Sequence, residues 1–126
     1  MTNKSEQGLI LFAHGARDAR WAEPFKRLQA LVRSERPAVR VELAFLEFMT
    51  PGLPEIVPQM VADGVQKITL VPVFLAQGGH VLRDLPQMVA NLKEQLPALD
   101  ITIAQAIGED DEVMRAIAKY CIASCV

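Results

Sequence analysis

Histidine is scarce in this chain, two among 126 residues, and so is cysteine, two at the far end; each scarcity narrows the available chemistry. Cys121 and Cys125 stand four apart, a helical spacing that matches neither a zinc nor a redox motif, so buried structural thiols are expected. Long apolar runs are missing. The longest are Leu9 to Ala13 and, interrupted by Thr69 and Pro72, Ile68 to Ala76, well short of a membrane span. The opening MTNKSEQ has no signal-peptide pattern, which makes the cytoplasm the expected location. A net charge of -2 and a pI near 5.7 give no global attraction to nucleic acid or to an anionic membrane, so an acidic ligand must be met by a local patch. The chain also lacks a G-x-S-x-G elbow, a G-x-x-x-x-G-K-[ST] phosphate loop and a G-x-G-x-x-G after its first apolar run, which removes the common hydrolase and nucleotide-binding readings.

What is present reads as a folded α/β domain. The composition is 51% hydrophobic and 22% charged, within the globular range. A chain of this size fits one domain, 1–126, behind a polar tail, 1–7. Gly8 to Ala13 reads as a buried strand ending at His14-Gly15. From Asp18 the period changes to helical, with Trp21, Phe25, Leu28, Leu31 and Val32 on one face and Pro24 near the first turn. Val39 to Phe45 is a second strand that delivers Glu47 just past its end. Leu53, Ile56, Val57, Met60 and Val61 form a second helical stripe with Gly64 as its stop; Pro58 requires a kink or a late start. Ile68 to Leu75 is the third strand. It runs into Gln77-Gly78-Gly79-His80 and a helix carrying Leu85, Met88, Val89, Leu92 and Leu96 inward, with Pro86 expected in that helix's first turn. Ile101 to Ala104 is a fourth strand, and Asp110 caps a last helix through Cys121. The alternation predicts a single four-stranded parallel sheet with helices on both faces. No linker, low-complexity run or internal repeat interrupts it.

Both histidines follow buried strands. In a parallel sheet all carboxyl ends share one edge, so His14 and His80 can meet there, joined by Glu47. Neutral imidazole is the commonest ligand of mid-series divalent metals, and two imidazoles with one carboxylate leave positions open, as a catalytic or transfer site requires. Gln77, Gly78 and Gly79 allow a tight turn or a close backbone approach to a ligand. Arg17, Arg20 and Arg83 lie around the histidines, where guanidinium groups suit a carboxylate or phosphate. Asp84, four residues after His80, is placed to orient that imidazole from behind.

These residues resemble a known family, the small CbiX-type sirohydrochlorin chelatases, class II relatives of the ferrochelatases. His14-Gly15-Ala16-Arg17 meets the pattern His-Gly-[Ser/Ala]-[Arg/Lys], and Phe45-Leu46-Glu47 to Pro51 resembles the second-strand signature. Val71 to Pro86, VPVFLAQGGHVLRDLP, resembles V-P-x-F-L-x-x-G-x-H-x-x-x-D-[IL]-P. The resemblance implies a flavodoxin-like chelatase lobe, with His14 and His80 as the metal-binding pair. It implies a lyase that inserts a divalent metal, cobalt first, into sirohydrochlorin for cobalamin biosynthesis. Iron for sirohaem and nickel are the alternatives.

The metal is then a substrate and no organic cofactor is needed. Glu47 or a freed histidine accepts the pyrrole protons, while Arg17, Arg20, Arg83 and the Gln77-Gly78-Gly79 backbone receive the polycarboxylate. Larger members have two lobes, so the resemblance implies a homodimer. Two departures are visible: Ala16 stands where Ser is common, and there is no histidine-rich tail. A non-catalytic metal or tetrapyrrole carrier would use the same histidines. A histidine phosphatase with His14 as phosphate acceptor would need Arg where Ala13 stands.

Overall fold

The computed structural model describes residues 6–76 and 78–125, the side chains of 79–82 excepted. Four strands, β1 (Gln7–Ala13), β2 (Arg40–Phe45), β3 (Lys67–Pro72) and β4 (Asp100–Ile103), form one parallel sheet in the order β2-β1-β3-β4. Gln7 belongs to β1, so the expected polar tail is too long at its inner end; residues 1–5 lie outside the described residues.

Parallel pairing buries both faces of the inner strands, and β1 shows it: Ile10 to Ala13 are all buried. The register sets Leu9 opposite Val41 and Thr69, and Ile10 opposite Glu42 and Leu70, which assigns each side chain to a face.

One face carries Ile10, Phe12, Ile68, Leu70 and Ile101, packed beneath α2 (Leu53–Ala62) and α3 (Gly79–Gln95). The other carries Leu11, Ala13, Val41, Leu43 and Phe45 beneath Phe25, Leu28 and Val32 of α1 (Glu23–Glu35). Crossovers running in opposite directions from β1 place their helices on opposite faces. A fourth helix, α4 (Asp111–Ala123), follows β4.

Helix ends follow the expected chemistry. Asp110 accepts the Val113 N–H at 3.1 Å and caps α4. The Glu55 carboxylate accepts the Gly52 N–H at 3.3 Å in front of α2. A 3-10 turn, Ala19–Ala22, precedes α1, which has Pro24 in its first turn.

Of the two alternatives at Pro58 the late start is removed, since α2 begins at Leu53 and runs through Pro58. Three expectations need correction. β3 stops at Pro72, leaving Phe74 and Leu75 outside the ladder: the Phe74 carbonyl accepts the Gly108 N–H at 3.0 Å, a turn donor in place of a strand partner. Pro86 lies inside α3, because the helix already starts at Gly79; its ring is on the exposed side, where a helix bends outward most easily. Cys121 and Cys125 are exposed: α4 buries none of its residues, and Cys125 lies just beyond its end.

Candidate functional site

The strand order reverses between β1 and β3: the chain leaves β1 toward β2, then returns to the other side of β1. The crevice outside the carboxyl ends at such a switch point is where open parallel sheets bind ligands. His14 follows β1 at this point, and Gly78, Gly79 and His80 lead out of β3 beside it.

His14 is held at the edge without being covered. It is exposed, and its ring lies on Phe74 with centroids 4.6 Å apart at 41°. Phe74 is buried and in turn meets Phe12 edge-on at 6.1 Å. The imidazole therefore rests on an aromatic column rising from the core.

Glu47 is fixed to the same turn by its backbone. The Leu46 N–H donates to the Ala13 carbonyl at 2.9 Å and the Glu47 N–H to the His14 carbonyl at 3.0 Å, extending the β1–β2 pairing beyond the sheet. Gly15, at φ +92°, leaves room for this: a Cβ there would fall 1.8 Å from the Glu47 carbonyl oxygen. Only glycine fits. The carboxylate of Glu47 is carried on the exposed side of this junction.

The arginines divide. Arg17 lies over the ring of Phe48, 4.8 Å from its centroid, and Phe48 is 57% exposed on a left-handed backbone at φ 67°. Arg20 is taken up by Asp18: its Nη2 stands 2.7 Å from Oδ2, and Nε lies 3.2 Å from each carboxylate oxygen. Asp18 also accepts the Arg20 N–H at 2.9 Å, capping the turn. The side-chain bond to Arg20, followed by the backbone one, holds the Asp18 carboxyl below its ordinary value, and Asp18 raises Arg20 in return. Arg83 is exposed on α3.

Of the remaining expected residues, Gln77 and the His80 side chain lie outside the described residues. Gly78 takes the N-cap position of α3 at φ -69°, ψ 154°, and Gly79 and His80 are the helix's first two residues. A Cβ on Gly78 meets nothing described within 4 Å, so the backbone there is open to approach. Asp84 is half-buried and shares one continuous helix with His80, one turn further on. The structure thus brings His14, Glu47 and Arg17 together at the end of β1 and sets the start of α3 across the switch point.

Sequence reasoning missed Phe74 and Phe48. Both looked like ordinary apolar residues of a strand and a loop. The continuation of the third apolar run past Pro72 was the available signal for Phe74; nothing in the sequence marks the left-handed Phe48.

Comparison with known proteins agrees with this arrangement. The CbiX family model matches residues 8–122. A sirohydrochlorin cobaltochelatase of Sulfurisphaera tokodaii is 30% identical over 106 residues, which are 84% of this chain and 83% of that one. One from Methanococcus aeolicus is 34% identical over 83 residues; the match spans 66% of this chain and 58% of that relative's length. The crystal structure of a cobalamin (vitamin B12) biosynthesis CbiX protein from Marinobacter aquaeolei VT8 superposes with a TM-score of 0.83 at 32% identity, covering 93% of this chain and 95% of the other. With a family model matched along nearly its whole length and the strand-end histidine of that pattern at the switch point of the sheet, this chain belongs to the CbiX family.

Proposed function

We propose that this protein inserts cobalt(II) into sirohydrochlorin, as a single chelatase domain working as a homodimer in the cytoplasm. The observation that carries the reading is the match along most of both chains to a relative named for that reaction, together with His14 exposed at the switch point. Iron(II) and nickel(II) are the competing metals, because imidazole ligands alone do not choose among them.

In this reading cobalt(II) is a substrate held by His14 and His80. Imidazoles bind it while leaving other positions to water, which sirohydrochlorin displaces. As the metal enters the ring, two pyrrole N–H protons leave: one divalent ion goes in, two protons come out, and the charge balances. Glu47, anchored through its backbone to His14, is the proton acceptor on this side. Arg17, Arg20 and Arg83 receive peripheral carboxylates, Arg20 from its pairing with Asp18. The open backbone at Gly78 supports an approach there, where Gln77, Gly78 and Gly79 are the proposed contacts, and Asp84, one helical turn on, is the proposed orienting partner of His80.

His14, Glu47, Phe48 and Leu75 are all exposed along this edge, so one lobe offers an open wall to a flat macrocycle. A second copy facing it closes the cleft. The test is to mix cobalt(II), sirohydrochlorin and protein and to follow the absorption change. A rate above the spontaneous reaction supports the chelatase; metal or tetrapyrrole binding without a rate supports a carrier.

A further inference from the structure

Phe48 is the one non-glycine residue, among the described residues, on a left-handed backbone, at φ 67°. The Met49 N–H donates to the Glu47 carbonyl at 2.8 Å and closes a three-residue turn around it. A left-handed φ inside such an i to i+2 bond is the strained form of this turn, and a bulky side chain is poorly suited to it. Strain of this kind persists only where the surroundings impose it, and it collects at ligand sites. Here both flanks are fixed. The Glu47 N–H donates to the His14 carbonyl at 3.0 Å, and the Phe45 N–H to the Pro51 carbonyl at 2.9 Å.

The turn leaves the ring outside although apolar room lies beside it. A cavity of about 500 Å³ borders Phe48 and is lined by Ala22, Leu43, Phe45 and Met49. Met49 packs against the core cluster beneath α1, whereas Phe48 stays 57% exposed. Hydrophobic burial therefore does not account for the place of this ring. What meets it is Arg17, whose guanidinium carbon lies 4.8 Å from the ring centroid, within cation–π range.

The kind of partner decides what a guanidinium can still do. Held by a carboxylate it gives up N–H donors; held by a ring face it keeps them for oxygen acceptors. Arg20 shows the first case, bonded through Nε and Nη2 to Asp18. Arg17 shows the second. Among the described residues neither Arg17 nor Glu47 is in an ion pair. Yet Arg17 stands three positions after His14, and Glu47 is bonded to the His14 carbonyl. A ring one residue from Glu47 takes the cation that this carboxylate would otherwise attract.

We propose that Phe48 is a positioning residue: its ring holds the Arg17 guanidinium, donors free, to receive one carboxylate of a polycarboxylate ligand, and keeps that cation off Glu47. The strained turn then serves the cation and not the fold. Naming sirohydrochlorin as the ligand rests on the chelatase reading, in which a Glu47 free of Arg17 remains able to accept a proton.

The experiment is a double-mutant cycle on the full chain, read by equilibrium binding of metal-free sirohydrochlorin. Phe48→Leu is expected to weaken binding about 3- to 5-fold, and Arg17→Ala about tenfold or more. The double variant should bind no more weakly than Arg17→Ala alone, because the ring acts through the arginine. Phe48→Tyr keeps the ring and should restore wild-type binding. Phe48→Gly relieves the backbone, so it should hold the wild-type urea midpoint and still bind as weakly as Phe48→Leu. In NMR, the Arg17 δ protons should lose their ring-current shift in Phe48→Leu. A further 3- to 5-fold loss on the Arg17→Ala background would overturn the proposal, since the ring would then touch the ligand itself. So would wild-type binding in Phe48→Leu, or no binding of sirohydrochlorin by the wild type. The two readings fail separately: an intact cycle without metal insertion removes the chelatase and leaves the pair, and insertion with independent losses does the reverse.

Discussion

Gly15 and Glu47 are locked together: the left-handed backbone of Gly15 lies so close to the Glu47 carbonyl that a single methyl group would overlap it. Because the Glu47 N–H also donates to the His14 carbonyl, one contact sets the position of both candidate site residues. Gly15→Ala is therefore expected to cost about 1–3 kcal/mol through backbone strain and displacement, and to slow metal insertion. Urea unfolding alongside a rate assay checks this. Wild-type stability and rate together would show that the junction is not needed.

Phe74 separates support from ligation. Phe74→Ala leaves a cavity under His14 and is expected to destabilise by about 3–5 kcal/mol. Phe74→Leu keeps most of the buried volume but removes the ring beneath the imidazole. It is expected to fold with a modest loss of stability, a changed His14 ring proton shift in NMR, and slower insertion. An unchanged His14 shift in Phe74→Leu would contradict the stacking.

His14 is exposed, so His14→Ala is expected to cost about 1 kcal/mol or less. If it holds the metal, insertion should fall about 100-fold or more, and His80→Ala should do the same with the fold retained. Near wild-type rates in either variant would remove that residue from the proposed pair.

Asp18 gives a pH signature with a definite sign. Its carboxyl is held below the ordinary 3.8 by Arg20. A carboxylate with a depressed folded value contributes its full stabilisation above the unfolded value, and loses it as pH falls through the folded one. The cap on Ala19–Ala22 should thus stay intact down to pH 3.8 and open below it. Carboxyl-carbon NMR is expected to place the Asp18 midpoint under 3.8 and to move it upward in Arg20→Ala. A wild-type midpoint at or above 3.8 would contradict the pairing.

Much of this was legible in the sequence because it rests on local signals. Apolar runs located all four strands, and the rule that parallel strands share a carboxyl edge placed His14 and Glu47 at one end. Asp110 capped α4 as its position implied. The failures have a common cause, since hydrophobicity records that a residue is covered and not by what. Phe74 extended an apolar run without extending the strand, because it fills the space beneath His14. Pro86 was read as a helix start because proline favours first turns, while Gly78 had already taken the cap. The thiols of Cys121 and Cys125 were read as buried from their helical spacing, although spacing records a face and not whether anything covers it. Phe48's left-handed backbone and the lack of room for even a methyl group at Gly15 depend on contacts between distant segments.

The most direct test of the account is a metal competition with sirohydrochlorin. Cobalt(II), iron(II) and nickel(II) are presented singly and in mixture to the wild-type protein and to His14→Ala, and the metallated product is followed by its absorption. The expected result is insertion above the spontaneous rate, fastest with cobalt(II), and lost in His14→Ala. A wild-type rate equal to the spontaneous one for every metal would contradict it.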